Sequence, residues 1–358
     1  MRRVFNNKRR RKQEGEEKMN NRIQWTAWPL LALAAWLVGT TVRAADAVDV
    51  AAAKKEGKVV WYTSTPIETA NKLAKLFEAQ SGVKVELFRS GGSAIISRFM
   101  QEQQAGRTAV DVLTTSDPAA ASAMMKKGLF VAFKPANFEK VPDVAKDANG
   151  NYIAQRLNMM TLFVRTDKMP AADAPKAWAD AADPKYKGKL IISDPSFTSL
   201  QLMVIAALSK KFGWDYYEKL RKNDIMVVEG NQQIVDNLKR GERLIAVGAL
   251  DSYAADARKE GHPIATVYPT EGTFIIPSPT SIIKGSPNPN AAKLFAEFML
   301  SEDAQKMFPQ DGGYAARTDI AAPQGNPALG DVKAIPIDYD EVEKQTPAIK
   351  KKFNEIFQ

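Results

Sequence analysis

The sequence predicts an α/β fold with parallel-type sheets, and three observations predict it. An apolar, β-branched strand followed by a polar junction and a helix-spaced segment occurs six times after residue 57. The helical segments open on Ser, Thr, Asp, Asn or Pro and most close on Gly or Lys, the residues that start and stop helices. The six units fall into two sets of three, separated by sequence of a different kind. Strands alternating with helices form βαβ units, whose strands lie parallel in one sheet with helices packed on its faces.

In the first set, KVVWYTSTP leads into IETANKLAKLFEAQ, where Ala70, Leu73, Ala74 and Phe77 share one helical face. Pro66 suits the first helical position, with Ser64 or Thr65 as the cap. VKVELFRSGGS leads into AIISRFMQEQQ, with Ile95, Ile96, Phe99 and Met100 on one side, and AVDVLTTSDP leads into AAASAMMKKG, which stops at Gly128. In the second set, KLIISDPSFTS precedes LQLMVIAALSKKF, IMVVEGN precedes QQIVDNLKRG, and RLIAVGALDS precedes YAADARKEG. Between the sets, LNMMTLFVRTD reads as a strand crossing from one to the other. GTFIIPSPTSIIKG crosses back, ahead of the amphipathic helix NPNAAKLFAEFMLSEDAQKMF. Two lobes are expected: residues 45–153 with 270–358, the C-terminal helices having the option of packing on the other lobe, and residues 154–269.

The formal charge of +9 is concentrated at the start of the chain. The first 44 residues hold ten of the 50 Lys and Arg but three of the 41 Asp and Glu, so 40 basic residues face 38 acidic ones in the body. A nucleic-acid partner is therefore not expected. After Met19, NNRIQWTAWPLLALAAWLVGTTVRA runs from a basic residue through an apolar stretch to small residues. Val42 and Ala44 fit the specificity positions of a signal peptidase, so we expect cleavage before Ala45, with Met19 as the true start. The apolar run from Ala27 to Val38 falls short of the ~20 residues of a membrane span. There are no cysteines, which excludes disulfides, thiolate metal sites, cysteine nucleophiles and a lipid-modified cysteine. A soluble periplasmic monomer is expected.

In a parallel sheet the strand-to-helix junctions lie at the carboxyl ends of the strands, where such folds bind ligands. Helix N-termini there present free N–H groups and partial positive charge. Two sets of polar junctions thus predict two walls facing a cleft. The candidate binding residues are Ser64, Thr65, Ser90, Gly92, Ser93, Ser116, Asp117, Arg156, Asp194, Ser196, Asn231, Asp251 and Tyr253. Arg156, near the first crossing, is a candidate bidentate clamp for an anion. Asp117, Asp194 and Asp251 have capping as their ordinary role.

With the junctions laid out, GKVVWYTS, FEAQSGVKVELFRSGGS, AGRTAVDVLTTSD, YKGKLIISDPSF, VVEGNQQIVDNLKRGE and the run from Pro269 to Gln305 resemble the solute-binding proteins of bacterial ABC importers, in the ferric-ion-binding-like branch. The resemblance implies a two-lobed type II periplasmic binding fold that closes on a ligand and presents it to a membrane permease. Iron-holding members place paired adjacent tyrosines at the start of the last helix of the second lobe; here ALDSYAAD supplies Tyr253 and then Ala254. The expected ligand is a small organic anion (phosphate ester, phosphonate or carboxylate), with ferric iron or another metal as the alternative and no cofactor. An enzyme is the rival from another class. HExxH, GxSxG and the Walker A pattern are absent, and the single histidine, His262, lies in a turn.

Overall fold

The computed structural model describes residues 46–358; the leader, the cleavage point before Ala45 and the Met19 start lie outside them. The chain opens with a short helix, α1 (Val50–Glu56), and then runs through the first set: β1 (Lys58–Thr63), α2 (Ile67–Ser81), β2 (Lys84–Arg89), α3 (Gly92–Gln104), β3 (Val112–Thr114) and α4 (Pro118–Lys126). After β4 (Phe130–Val131), the long strand β5 (Ile153–Arg165) crosses to the second set. That set is β6 (Leu190–Ser193), α5 (Ser199–Phe212), α6 (Asp215–Lys222), β7 (Met226–Val228), α7 (Asn231–Arg240), β8 (Ile245–Leu250) and α8 (Asp251–Lys259). β9 (Ile264–Val267) and the returning strand β10 (Phe274–Ile283) precede α9 (Pro289–Met299), α10 (Glu302–Gln310), β11 (Tyr314–Ala315) and the last helix, α11 (Tyr339–Phe357). All six predicted strand–helix units are present.

The strands form one curled sheet in the order β2-β1-β3-β10-β5-β8-β6-β7, with β4 on β10 and both β9 and β11 on β5. β1 is parallel to β2 and β3, and β6 is parallel to β7 and β8. The two parallel groups are joined by β10 and β5, which run antiparallel to each other and to β3 and β8 respectively. β5 pairs with β10 over its first half and with β8 over its second, so it belongs to both groups, as the crossing-strand reading requires. The register of β10 shifts between Pro277 and Pro279. Two prolines cannot donate to a ladder, and an irregularity is where a central strand tolerates them.

Each parallel group has its own apolar core. Trp61 of β1 packs on Phe295 of α9 with ring centroids 5.1 Å apart, and Phe77 of α2 meets the same ring edge-on at 4.9 Å. On the other side, Leu202, Tyr217, Leu220 and Trp178 are buried together with Val342, Ile349 and Phe353 of α11. Helix α11 also reaches α4, where Lys126 pairs with Asp340 at 2.9 Å, while Lys210 of α5 pairs with Glu341. The last helix therefore touches both groups. One buried carboxylate locks the first group: Asp111 accepts from Val60 N (2.7 Å), Ser286 Oγ (2.6 Å), Asn288 N (2.9 Å) and Asn288 Nδ2 (2.9 Å).

Candidate functional site

All six strand–helix junctions contribute to one cavity of about 240 Å³. The first set supplies Ser64 and Pro66 after β1, Arg89, Gly91 and Gly92 around the end of β2, and Ser116 after β3. The second set supplies Phe197 to Leu200 after β6, Glu229 to Gln233 after β7, and Leu250 and Tyr253 after β8. Arg156 comes from the crossing strand β5.

The two walls touch. Ser93 N donates to the Phe197 carbonyl at 3.2 Å, and Ser93 Oγ donates to the Pro195 carbonyl at 3.2 Å. A side chain at Gly91 would place its Cβ 2.4 Å from the Phe197 oxygen, and one at Gly92 would place it 2.1 Å from Ser199 Oγ. Neither glycine has a positive φ. They are needed because the opposite wall packs directly on their backbone. The Ser-Gly-Gly-Ser turn is thus both a helix start and a contact surface.

Two arginines and a chain of hydroxyls line the cavity, with Glu229 as its carboxylate. Arg156 is buried, and burial pushes its guanidinium down to about 10, still protonated at neutral pH. Its Nη1 donates to Asn158 Oδ1, its Nη2 reaches Ser116 Oγ at 3.4 Å, and its Nε has no partner among the described residues. Hydroxyls continue the network: Ser116 Oγ lies 3.0 Å from both Ser64 Oγ and Ser278 Oγ, and Asn158 Nδ2 donates to Ser278 Oγ at 2.8 Å. Arg89 Nε donates to the Thr65 carbonyl at 3.1 Å. Among the described residues neither arginine has a carboxylate within ion-pair distance. Helices α2, α3, α5, α7 and α8 all begin at the cavity, and none has a side-chain cap on its N-terminus. Their amides add partial positive charge to that of the arginines.

Of the sequence-predicted residues, Ser64, Gly92, Ser116, Arg156, Asn231 and Tyr253 line this cavity. The others do not. Thr65 is buried and accepts from Thr63 Oγ1 (2.8 Å) and Gln155 Nε2 (2.6 Å), locking the turn after β1. It does not cap α2, whose N-cap is Pro66. Ser90 donates its N–H to the Thr63 carbonyl at 3.2 Å, extending the β1–β2 ladder. Ser93 spends both donors on the opposite wall. Asp117 caps α4 through Ala120 N (2.9 Å), and burial pushes its carboxyl up to about 6. Asp194 accepts from Ser196 N at 2.6 Å, and both line a shallower outer groove with Phe357 and Gln358.

Asp251 lies buried in the first turn of α8, off the cavity lining. Its Oδ1 has no partner among the described residues, and burial pushes its carboxyl up to about 8. At neutral pH it is mostly protonated and leaves the Arg156 charge uncancelled. Sequence reasoning missed Arg89, Phe197 and Glu229. Arg89 was legible, because it ends β2 at the same sheet edge as the Ser-Gly-Gly-Ser turn.

The family model for bacterial extracellular solute-binding proteins matches residues 72–334. The chain belongs to that family. Its members bind a small ligand outside the cytoplasm and work with a membrane ABC permease; they are binding proteins for transport. An uncharacterised protein of Haemophilus influenzae is 27% identical over 315 residues, covering 85% of this chain and 90% of that one. Iron uptake protein A1 of Synechocystis is 23% identical over 304 residues, covering 80% and 83%. A provisionally described 2-aminoethylphosphonate-binding periplasmic protein of Salmonella typhimurium is 25% identical over 255 residues, covering 68% and 73%. Among solved structures, the periplasmic binding protein AfuA of Actinobacillus pleuropneumoniae with fructose-6-phosphate superposes with a TM-score of 0.76 at 24% identity, over 84% of this chain and 98% of that one. Iron-bound HitA of Pseudomonas aeruginosa gives 0.73 at 20% identity, over 83% and 99%. The fold is that of the type II periplasmic binding proteins.

Proposed function

We propose that the chain is exported by a leader cleaved before Ala45 and serves an ABC importer as a monomeric periplasmic receptor for a small organic anion: a phosphate ester, a phosphonate or a carboxylate. The observation that carries this reading is the pair of arginines, one fully buried and neither ion-paired among the described residues, converging with five uncapped helix starts on one cavity. A buried guanidinium is costly without an anion or a full set of hydrogen-bond partners, and a ligand oxyanion supplies both. The lobes of residues 45–153 with 270–358 and of residues 154–269 close over the ligand about β5 and β10. Ligand contacts to both walls then favour the closed form.

Ferric iron, which the name of the Synechocystis relative suggests, fits these residues less well. Tyr253 is followed by Ala254, and Glu229 is the single carboxylate lining a cavity that also carries two arginines. Ferric iron needs several hard anionic oxygens to displace its water. The test is a thermal-shift screen of purified protein against phosphate esters, phosphonates, carboxylates and ferric salts, with hits measured by calorimetry. We expect a raised midpoint with a phosphorus oxyanion or carboxylate. Stabilisation by ferric iron alone, with a visible tyrosinate–iron band, refutes the reading.

A further inference from the structure

The cavity has a buried floor and an open mouth, and the two ends carry opposite charge. Arg156 is buried at the floor, with Tyr253, Arg89 and Asp251 near enough to act on it. Glu229 is exposed. It lines both this cavity and the outer groove beyond Phe197, which places it at the mouth. The Phe197 ring there lies against Gly91 on one wall and, across a 3.3 Å approach of an ideal Cβ, Gly230 on the other.

The backbone of Glu229 is held firmly while its carboxylate is nearly free. Its N–H donates to Gln233 Oε1 at 2.9 Å and its carbonyl accepts from Thr198 Oγ1 at 3.1 Å. The side chain has one long contact, Gln233 Nε2 to Oε2 at 3.4 Å, and no ion pair among the described residues. A carboxylate at the mouth of an anion cavity repels a bare polyanion. It favours a ligand whose far end offers a hydrogen-bond donor.

We propose that Glu229 is the specificity-determining residue of this cavity, accepting a hydrogen bond from an ammonium or hydroxyl group on the end of the ligand that faces away from Arg89 and Arg156. The inference rests on the anion reading above. It adds that the ligand is bifunctional, with an oxyanion head and a donor a few atoms away. A volume of about 240 Å³ has room for both.

The probes are three phosphonates that differ only at the far atom: ethylphosphonate, 2-hydroxyethylphosphonate and 2-aminoethylphosphonate, each titrated into wild type and Glu229→Gln. Wild type is expected to prefer a donor-bearing probe over ethylphosphonate by at least about tenfold, the scale of a hydrogen bond to a charged group. Glu229→Gln, exposed and isosteric, is expected to remove most of that preference while binding ethylphosphonate at least as well. Loss of preference for the amine alone identifies an ammonium; loss for both identifies a general donor. If the variant keeps the wild-type ranking with measurable binding, Glu229 does not set specificity and the inference falls while the anion site stands. If wild type binds none of the three, nor inorganic phosphate or citrate, the anion reading itself fails and takes the inference with it.

Discussion

Gly91→Ala puts a methyl group where the two walls of the cavity meet. The backbone at Gly91 (φ −65, ψ 152) suits alanine, so the substitution strains nothing locally. Its Cβ would, however, lie 2.4 Å from the Phe197 carbonyl oxygen and 2.6 Å from two ring carbons. The carbonyl is main chain, so no rotamer change relieves the clash, and the walls must part by about 1 Å to restore ordinary van der Waals distance. That separation breaks the two Ser93 bonds to Phe197 and Pro195. At about 0.5–1.5 kcal/mol each, the contact weakens by about 1–3 kcal/mol. Apparent ligand affinity falls with the population of the closed form, by about 5- to 150-fold. Calorimetry with the best anion from the screen measures the affinity, and small-angle scattering should show a larger radius of gyration with ligand present than for wild type. Circular dichroism and melting temperature should stay near wild type. Wild-type affinity and compaction in the Gly91→Ala protein would refute the idea that this contact is part of the closed state.

Three further outcomes follow from named groups. Arg156→Met should weaken anion binding by about 100-fold, the cost of a lost charge-assisted pair, and calorimetry reads it directly. Asp251 gives a pH dependence of definite sign. Its carboxyl rises from an ordinary 3.8 to about 8 in the native protein through burial, so the native state holds the proton more tightly. Its contribution to stability is complete below pH ~4 and lost as pH rises through ~8, and anion affinity should fall over the upper part of that window as a negative charge develops near Arg156. Asp251→Asn should flatten the affinity profile around pH 8. Finally, Asp111→Ala strips an acceptor from Val60 N, Ser286 Oγ and both Asn288 donors. It should destabilise the fold by about 3 kcal/mol or more, read by urea denaturation, without altering the cavity itself.

The architecture was legible because hydrophobic periodicity and junction chemistry are local. KLIISDPSFTS followed by LQLMVIAALSKKF announces strand, turn and helix whatever lies around it. Legibility of the cavity stopped at side-chain direction. Ser64, Ser116 and Tyr253 face it, whereas Thr65, Ser93 and Asp194, one to three residues from lining positions, are spent on turn geometry or wall contact. A polar residue at a junction serves capping, turn closure or ligand equally well by type, and only packing separates them. Phe197 was unreadable for the opposite reason: an aromatic after an Asx turn carries no local signal that two glycine turns from distant segments will close around it.

The pairing of Trp61 and Phe77 with Phe295 has a consequence for synthesis. More than 200 residues separate these partners, and β10 must slot between β3 and β5 before the first core is complete. A growing polypeptide cannot finish its early half until α9 has left the ribosome, because contacts so distant carry a large loop-closure cost. Closure of the first core is therefore a late event of synthesis, possible only once residues up to Met299 have emerged.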